Sequence, residues 1–208
     1  TLEAAKAFLG KAYLFQGKYP QAAEILDEVI DTHLYDLYPD FDYLLHVRAN
    51  NCEESIFEFQ VRNDAEQMWN QMSFYGIMQG WRFGLLTVSD EAAKVFALGT
   101  YGFLNPRKDL YDAFVAMEGT DGYRLNCSIR TYEQVQAEGI NVMNGAILPG
   151  HEGYFMWKNR SLKEDLIMDN PGFQIGQYCN YRLMRYAEVL LMAAEAHVMS
   201  TDPENRAL

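Results

Sequence analysis

Trp69 and Trp81 bracket the stretch of this chain whose side chains are best suited to chemistry. Between and beside them stand Phe74 and Tyr75, interleaved with Asn70, Gln71, Gln79 and Arg82 and interrupted by Gly76, Gly80 and Gly84. Flat rings beside amides and a guanidinium are what sugar recognition asks for. The C–H faces of a pyranose stack on the rings, and the polar groups take its hydroxyls. Trp69, Tyr75 and Trp81 are therefore the expected stacking platforms, with Asn70 and Arg82 as polar partners. Rings with a polar handle also pack well in cores, so burial and ligand contact are both open for each of them. Tyr101 and Phe103, near the Asn105-Pro106 turn, are further candidates, whereas Trp157 within Tyr154-Phe155-Met156-Trp157-Lys158 reads as part of a packed strand. Met68, Met72 and Met78 read as core filler.

No pattern for covalent or metal chemistry stands beside them. The chain has no nucleophile elbow, no glycine-rich phosphate loop, no His-Glu-x-x-His and no dinucleotide fingerprint. With 29 Asp and Glu residues some carboxylate pair must meet in any fold of this size, so a glycosidase pair is not signalled by their number. Cys52, Cys127 and Cys179 are scattered, as are His33, His46, His151 and His197, and neither set has ligand spacing. No catalytic residue, metal site or cofactor is expected. A formal net charge of -12 with no compensating Lys/Arg cluster repels phosphate backbones and argues against nucleic acid. No apolar run of spanning length is free of charge.

The platforms need a scaffold, and the chain supplies one at each end. Residues 1–34 read as a helical hairpin. Ala5, Phe8, Leu9, Ala12 and Gln16 mark one face of its first helix, Gly17-Lys18-Tyr19-Pro20 marks the turn, and Ala22, Ala23, Leu26, Val29 and Ile30 mark the second helix. The spacing Leu9-Gly10-x-x-Tyr13, then Gly17 and Ala22-x-x-x-Leu26, matches a tetratricopeptide helix pair, with Lys6 where that repeat usually has Trp. Residues 35–61 form a connector and a short strand over 57–61, with alternating apolar and polar positions. Residues 62–179 hold all but two of the 15 glycines and all three tryptophans, the profile of a loop-rich binding region with short helices near 89–98 and 108–117. Residues 180–208 open on a buried helix from Asn180 to His197. Arg185, Glu188 and Glu195 share one face of it as structural pairing groups, and the start of a further element follows. Because Thr1 already lies in a helical pattern, the chain reads as an internal piece of a longer protein.

Two blocks carry a family resemblance. The run Asn180-x-Arg182-Leu183-x-Arg185-Tyr186-Ala187-Glu188-Val189-Leu190-Leu191-Met192-x-Ala194-Glu195-Ala196 resembles the helix near the end of SusD/RagB proteins. Asn50-x-x-Glu53-Glu54-Ser55-Ile56-Phe57-Glu58, following Tyr35-x-Leu37, resembles their entry into a strand after a repeat helix. Leu110-Tyr111-Asp112-Ala113-Phe114 with Asp121-x-x-Arg124 partly matches a further family helix and its Asp-Pro-Arg element. Gly153-Tyr154-Phe155-x-x-Lys158 falls where a Lys-containing strand precedes the final helix. The resemblance implies a mainly α fold, tetratricopeptide-like helical hairpins packed against a loop-rich region with a few short strands. It implies an outer-membrane lipoprotein on the cell surface, held by an N-terminal lipid anchor that this chain lacks. Such a protein binds oligosaccharide or polysaccharide without cleaving it, for import through a SusC-like TonB-dependent transporter. RagB-type members leave a peptide ligand open. A tetratricopeptide-type interaction scaffold and a polysaccharide hydrolase are the alternatives.

Overall fold

A computed structural model describes residues 1–66, 78–79, 81–82, 84–143, 146, 148, 150–167 and 176–201. These fall into two compact units. The first comprises Thr1–Pro39, Asn50–Gln60 and Asn180–Leu208, and the second Asp40–Ala49 and Val61–Cys179.

In the first unit, helix α1 (Leu2–Phe15) starts where the Thr1 hydroxyl accepts a hydrogen bond from the Ala4 amide, which satisfies one of the free N–H groups of the first turn. It ends at Gly17, whose φ of 68° lets the Gly17 and Lys18 amides fold back onto the Leu14 and Tyr13 carbonyls. Pro20 then sits in the first turn of α2 (Tyr19–Ile30), where its missing N–H costs nothing. The seam between these helices is narrow. A Cβ on Gly10 would lie 2.5 Å from the Leu26 side chain, so only glycine permits this approach. The seam corrects the expected face of α1: Ala4, Ala7 and Gly10 are buried, while Ala5, Phe8, Leu9, Ala12 and Gln16 are exposed. Small side chains win the interior face because they let the backbones close on Leu26. The face expected for α2 agrees, with Ala22, Ala23, Leu26 and Val29 buried.

The C-terminal segment is also corrected. Residues 181–185 are not helix but strand β6 (Tyr181–Arg185), which pairs antiparallel with β1 (Ser55–Phe59), and α6 (Tyr186–Thr201) follows. Alternation explains the switch: Arg182 and Met184 point inward while Tyr181, Leu183 and Arg185 do not. On β1 the inward positions are Ile56 and Glu58, and Phe57 and Phe59 face outward, the reverse of a simple apolar-in pattern. Glu58 can be inside because Arg182 meets it at 3.1 Å, with both side chains at most 3 % exposed. The Asn180 amide nitrogen and the Ser55 hydroxyl donate to Glu58 as well. Arg185 pairs with Glu54 at 2.6 Å and Glu188 with Lys11 at 2.6 Å, while Glu195 is exposed. Arg185 and Glu188 thus serve neighbouring elements instead of pairing with each other. Helix α6 buries Val189, Met192, Ala193 and Ala196 and leaves Leu191 73 % exposed, so it is covered on one side and not all round.

Among the described residues, the second unit has little regular structure. Two short antiparallel ladders, β2 (Leu86–Val88) with β4 (Ile140–Val142) and β3 (Ile129–Thr131) with β5 (Tyr154–Met156), accompany α3 (Lys108–Glu118), α4 (Tyr123–Ser128) and α5 (Tyr132–Ala137). The Thr131 hydroxyl and the Gln134 amide close a reciprocal capping box at the start of α5. The helix expected near 89–98 is only a 3₁₀ turn at Ala92–Lys94, opened by the Ser89 hydroxyl. The core holds Trp81, Phe96, Phe155 and Trp157 with Leu86, Val135, Ile140 and Leu162. Around it, cations and rings alternate. Arg130 lies 3.6 Å and Arg160 4.6 Å from the Trp157 ring centre, and Arg160 and Arg48 lie 5.0 and 4.1 Å from that of Tyr43. Arg160 also forks onto both Asp42 carboxylate oxygens, at 3.0 and 2.9 Å, and Asp165 accepts from the His46 ring at 2.6 Å and the Val47 amide at 2.9 Å. The described fold is mainly helical with a few short strands.

Candidate functional site

The second unit carries a cleft of about 530 Å³. The chain from Leu104 to Leu110 leads into α3 and forms one side, and Ser128, Ile129 and the segment from Met156 to Asn159 form another, with Gln79 and Phe114 completing the lining. Its apolar surface comes from Leu104, Pro106, Leu110, Phe114, Ile129 and Met156. Gln79, Asn105, Arg107, Asp109, Lys158 and Asn159 supply donors and acceptors. A volume of this size suits a small ligand, and a mixed wall suits one with both C–H faces and hydroxyls.

The polar groups are held in place. The Asn159 amide nitrogen donates to the Gln79 side-chain oxygen and to the Met156 sulfur at 3.4 Å, and Asn105 donates to the Gly102 carbonyl at 3.0 Å. Arg107 lies 3.6 Å from both Asp109 and Glu152, and Glu152 in turn caps the start of α3 by accepting from the Lys108 amide at 2.8 Å. The Lys158 ammonium stands 4.5 Å from the Phe41 ring centre. Strand β5 brings Met156 to the cleft, and the amides of Trp157 and Lys158 both donate to the Ser128 carbonyl, at 2.9 and 3.2 Å, which ties the two cleft segments together. Trp157 itself turns into the core, as its strand context predicts.

The expected platforms divide. Trp69, Asn70 and Tyr75 lie outside the described residues. Trp81 is 2 % exposed and packs 5.6 Å from Phe96 and 5.8 Å from Trp157 between ring centres, so its indole is core and offers no face to a ligand. The physical reason is neighbourhood: three large rings that local sequence cannot bring together fill the space that short loops leave open. Arg82 is partly exposed, and its guanidinium donates to the Tyr101 carbonyl at 3.1 Å and lies 5.9 Å from the Phe103 ring centre. Tyr101 and Phe103 are 43 % and 46 % exposed. Asn105, Arg107, Asp109 and Asn159 carried no signal of their own in the sequence. Gln79, Asn105 and Asn159 are far apart along the chain, and only the Pro106 turn hinted that one of them was presented to solvent.

Elsewhere in this unit, burial against Phe155, 4.3 Å between ring centres, pushes the His151 pKa down, and burial pushes the Cys127 thiol up. Among the described residues no group of three or more His, Cys, Asp or Glu could hold a metal ion, and no helix is long and apolar enough to cross a membrane.

Residues 53–208 match the SusD family. No curated protein matches. Among solved structures, a laminarin-binding SusD-like protein is 27 % identical, with a TM-score of 0.72 over 93 % of this chain and 43 % of its own. Surface glycan-binding protein A from Bacteroides thetaiotaomicron is 20 % identical, with a TM-score of 0.69 over 97 % of this chain and 44 % of its own. The same protein in complex with laminarihexaose also has a TM-score of 0.69, at 20 % identity, over 96 % of this chain and 43 % of its own. The chain spans less than half the length of these structures. With a family match over three quarters of its residues, the chain belongs to the SusD family.

Proposed function

We propose that this chain forms the ligand-binding part of a cell-surface protein that captures oligosaccharide or polysaccharide without cleaving it. The single observation that carries the reading is the cleft, with its apolar walls and fixed amide and charged groups, in the loop-rich unit of a SusD-family chain. The 27 % identical relative makes laminarin the first glycan to test. Asp109 is the one carboxylate among the described residues lining the cleft, and it faces Arg107, an arrangement that supports orientation of a ligand more than the paired carboxylates of hydrolysis. Family membership supports an outer-membrane location on the extracellular face through a lipid anchor. It also supports a SusC-like TonB-dependent transporter as the partner that receives the glycan.

Titration calorimetry of the full-length protein with laminarin and a panel of other polysaccharides tests this. Binding in the micromolar to millimolar range is expected, about 4–8 kcal/mol, with no new reducing ends after prolonged incubation. Asn159→Ala removes an amide from the cleft wall and should weaken binding about tenfold with little change in melting temperature. Release of shorter saccharides would establish a hydrolase instead. Trp69, Asn70 and Tyr75 stay in the proposal as further contacts, and unchanged titrations for Trp69→Ala and Tyr75→Ala would remove them. Co-purification of a TonB-dependent transporter from solubilised outer membranes tests the partner.

A further inference from the structure

We infer that Asp42 is a positioning residue for the ligand, because its carboxylate grips both ends of the turn that presents Lys158 and Asn159 to the cleft. This rests on the reading of the cleft as a glycan site. The Arg160 amide donates to the Trp157 carbonyl at 3.1 Å, which closes a β-turn with Lys158 and Asn159 at its two central positions. Both central residues line the cleft. The two corner residues are buried instead, Trp157 at 3 % and Arg160 at 2 % exposure, and both reach Asp42. The Trp157 indole N–H donates to one Asp42 carboxylate oxygen at 3.0 Å, and the Arg160 guanidinium donates to both, at 3.0 and 2.9 Å.

Asp42 lies 115 positions before Trp157 in the chain and is itself held fast. It stands on a 3₁₀ turn, Phe41–Tyr43, that runs into the buried Leu44. Just beyond, the segment is anchored at Asp165, which accepts from the His46 ring at 2.6 Å and the Val47 amide at 2.9 Å. The Tyr43 ring centre lies 5.0 Å from the Arg160 guanidinium, which also donates to the Asp42 and Trp157 carbonyls, each at 3.2 Å. A planar guanidinium forked onto a carboxylate fixes direction as well as distance. The turn is thereby tied to a rigid frame.

The frame matters for binding because side chains at the tip of a turn would otherwise be ordered only when the ligand arrives. Asn159 is already committed to the Gln79 side chain and to the Met156 sulfur at 3.4 Å. The Trp157 and Lys158 amides share the Ser128 carbonyl, and the Asp42 fork stops the turn from rocking about that hinge. Polar groups held in their bound geometry beforehand yield affinity by sparing the ordering cost. Asp42 is not among the described residues that line the cleft, so its effect on a ligand passes through the turn.

The test is calorimetry of the full-length protein with the tightest-binding polysaccharide of the panel, laminarin first, at a temperature where each variant is fully folded. Asp42→Asn keeps the shape but loses the charged fork, and should weaken binding about tenfold. Asp42→Glu, which retains the carboxylate, should bind more tightly than Asp42→Asn. Combined with Asn159→Ala, Asp42→Asn should lose far less than the roughly hundredfold that two independent tenfold effects would give. A merely structural role would lower the melting temperature and leave the affinity of the folded protein alone. Asp42→Asn strands the Arg160 charge, so Asp42→Asn/Arg160→Gln, which removes both charges, is judged by the same loss of affinity. Unchanged affinity in either folded variant, or fully independent losses with Asn159→Ala, overturns the inference while the cleft stands. If neither variant folds, Asp42 serves stability alone and the inference is wrong. If the unaltered protein binds no polysaccharide of the panel, the cleft reading falls together with it.

Discussion

The two units solve the problem of filling an interior in opposite ways. Among the described residues of the helical unit the apolar core is Ala4, Ala7, Ala22, Ala23, Ala193 and Ala196 with Leu26, Val29, Val189, Met192, Ile56 and Met184, and no aromatic residue is fully enclosed. Regular helices can approach closely, so small side chains at the seam and a few branched ones between them suffice. The described residues of the loop-rich unit have no such regularity. Its core is built from Trp81, Phe96, Phe155 and Trp157, braced by guanidinium groups on the ring faces and by the Arg160–Asp42 fork. Large rings span gaps that irregular backbone leaves, and each carries a large apolar surface. The lesson is that aromatic content in such a region does not by itself mark a ligand surface. Trp81 is packing, while Tyr101 and Phe103, a short way along the chain, are exposed.

This contrast can be broken most decisively at Trp81. Trp81→Ala removes a buried indole from an aromatic cluster and should cost about 3–5 kcal/mol in urea denaturation followed by fluorescence, which reads the loop-rich unit because all three tryptophans fall in its sequence. A cost below about 1 kcal/mol would mean that the indole is not core and would return it to the ligand surface. Gly10→Leu tests the other unit. Its added side chain meets Leu26, which is fully buried and cannot swing away, so a loss of about 1–3 kcal/mol is expected. The loss should appear in far-ultraviolet dichroism with the tryptophan emission maximum unchanged. An emission shift of the same size would show that the two interiors do not behave separately.

The smallest effect concerns pH. Burial lowers the pKa of His151, so as pH falls the unfolded chain takes up the proton first and the folded state is disfavoured. Stability should be flat above pH ~6.5 with respect to this group. It should decline as pH drops from there through the lowered folded value. Comparing denaturation midpoints of the native protein and His151→Gln at several pH values isolates the slope, and equal slopes would show that the imidazole is not shielded by Phe155.

Legibility followed the range of the forces involved. The hairpin was readable because Gly17, Pro20 and the 3.6-residue pattern of α2 act within a few residues of themselves. The buried face of α1 was misjudged because Phe8 and Leu9 look more like core than Ala4, Ala7 and Gly10 do, and only the proximity of Leu26 reverses that order. Residues 181–185 looked helical because nothing local announces that β1, some 125 positions earlier, supplies their hydrogen bonds and that Glu58 and Glu54 await their arginines. The cleft was the least legible part, since Gln79, Asn105 and Asn159 converge only through folding.

By itself the sequence determined the family and the helical hairpin at the start of the chain, because motif wording and helix caps are local properties. Tertiary structure alone decided which rings are buried, which strand pairs with β1 and where the polar groups of the cleft meet. Those outcomes depend on desolvation and packing between residues far apart in the chain, and a burial energy belongs to a neighbourhood and not to a residue.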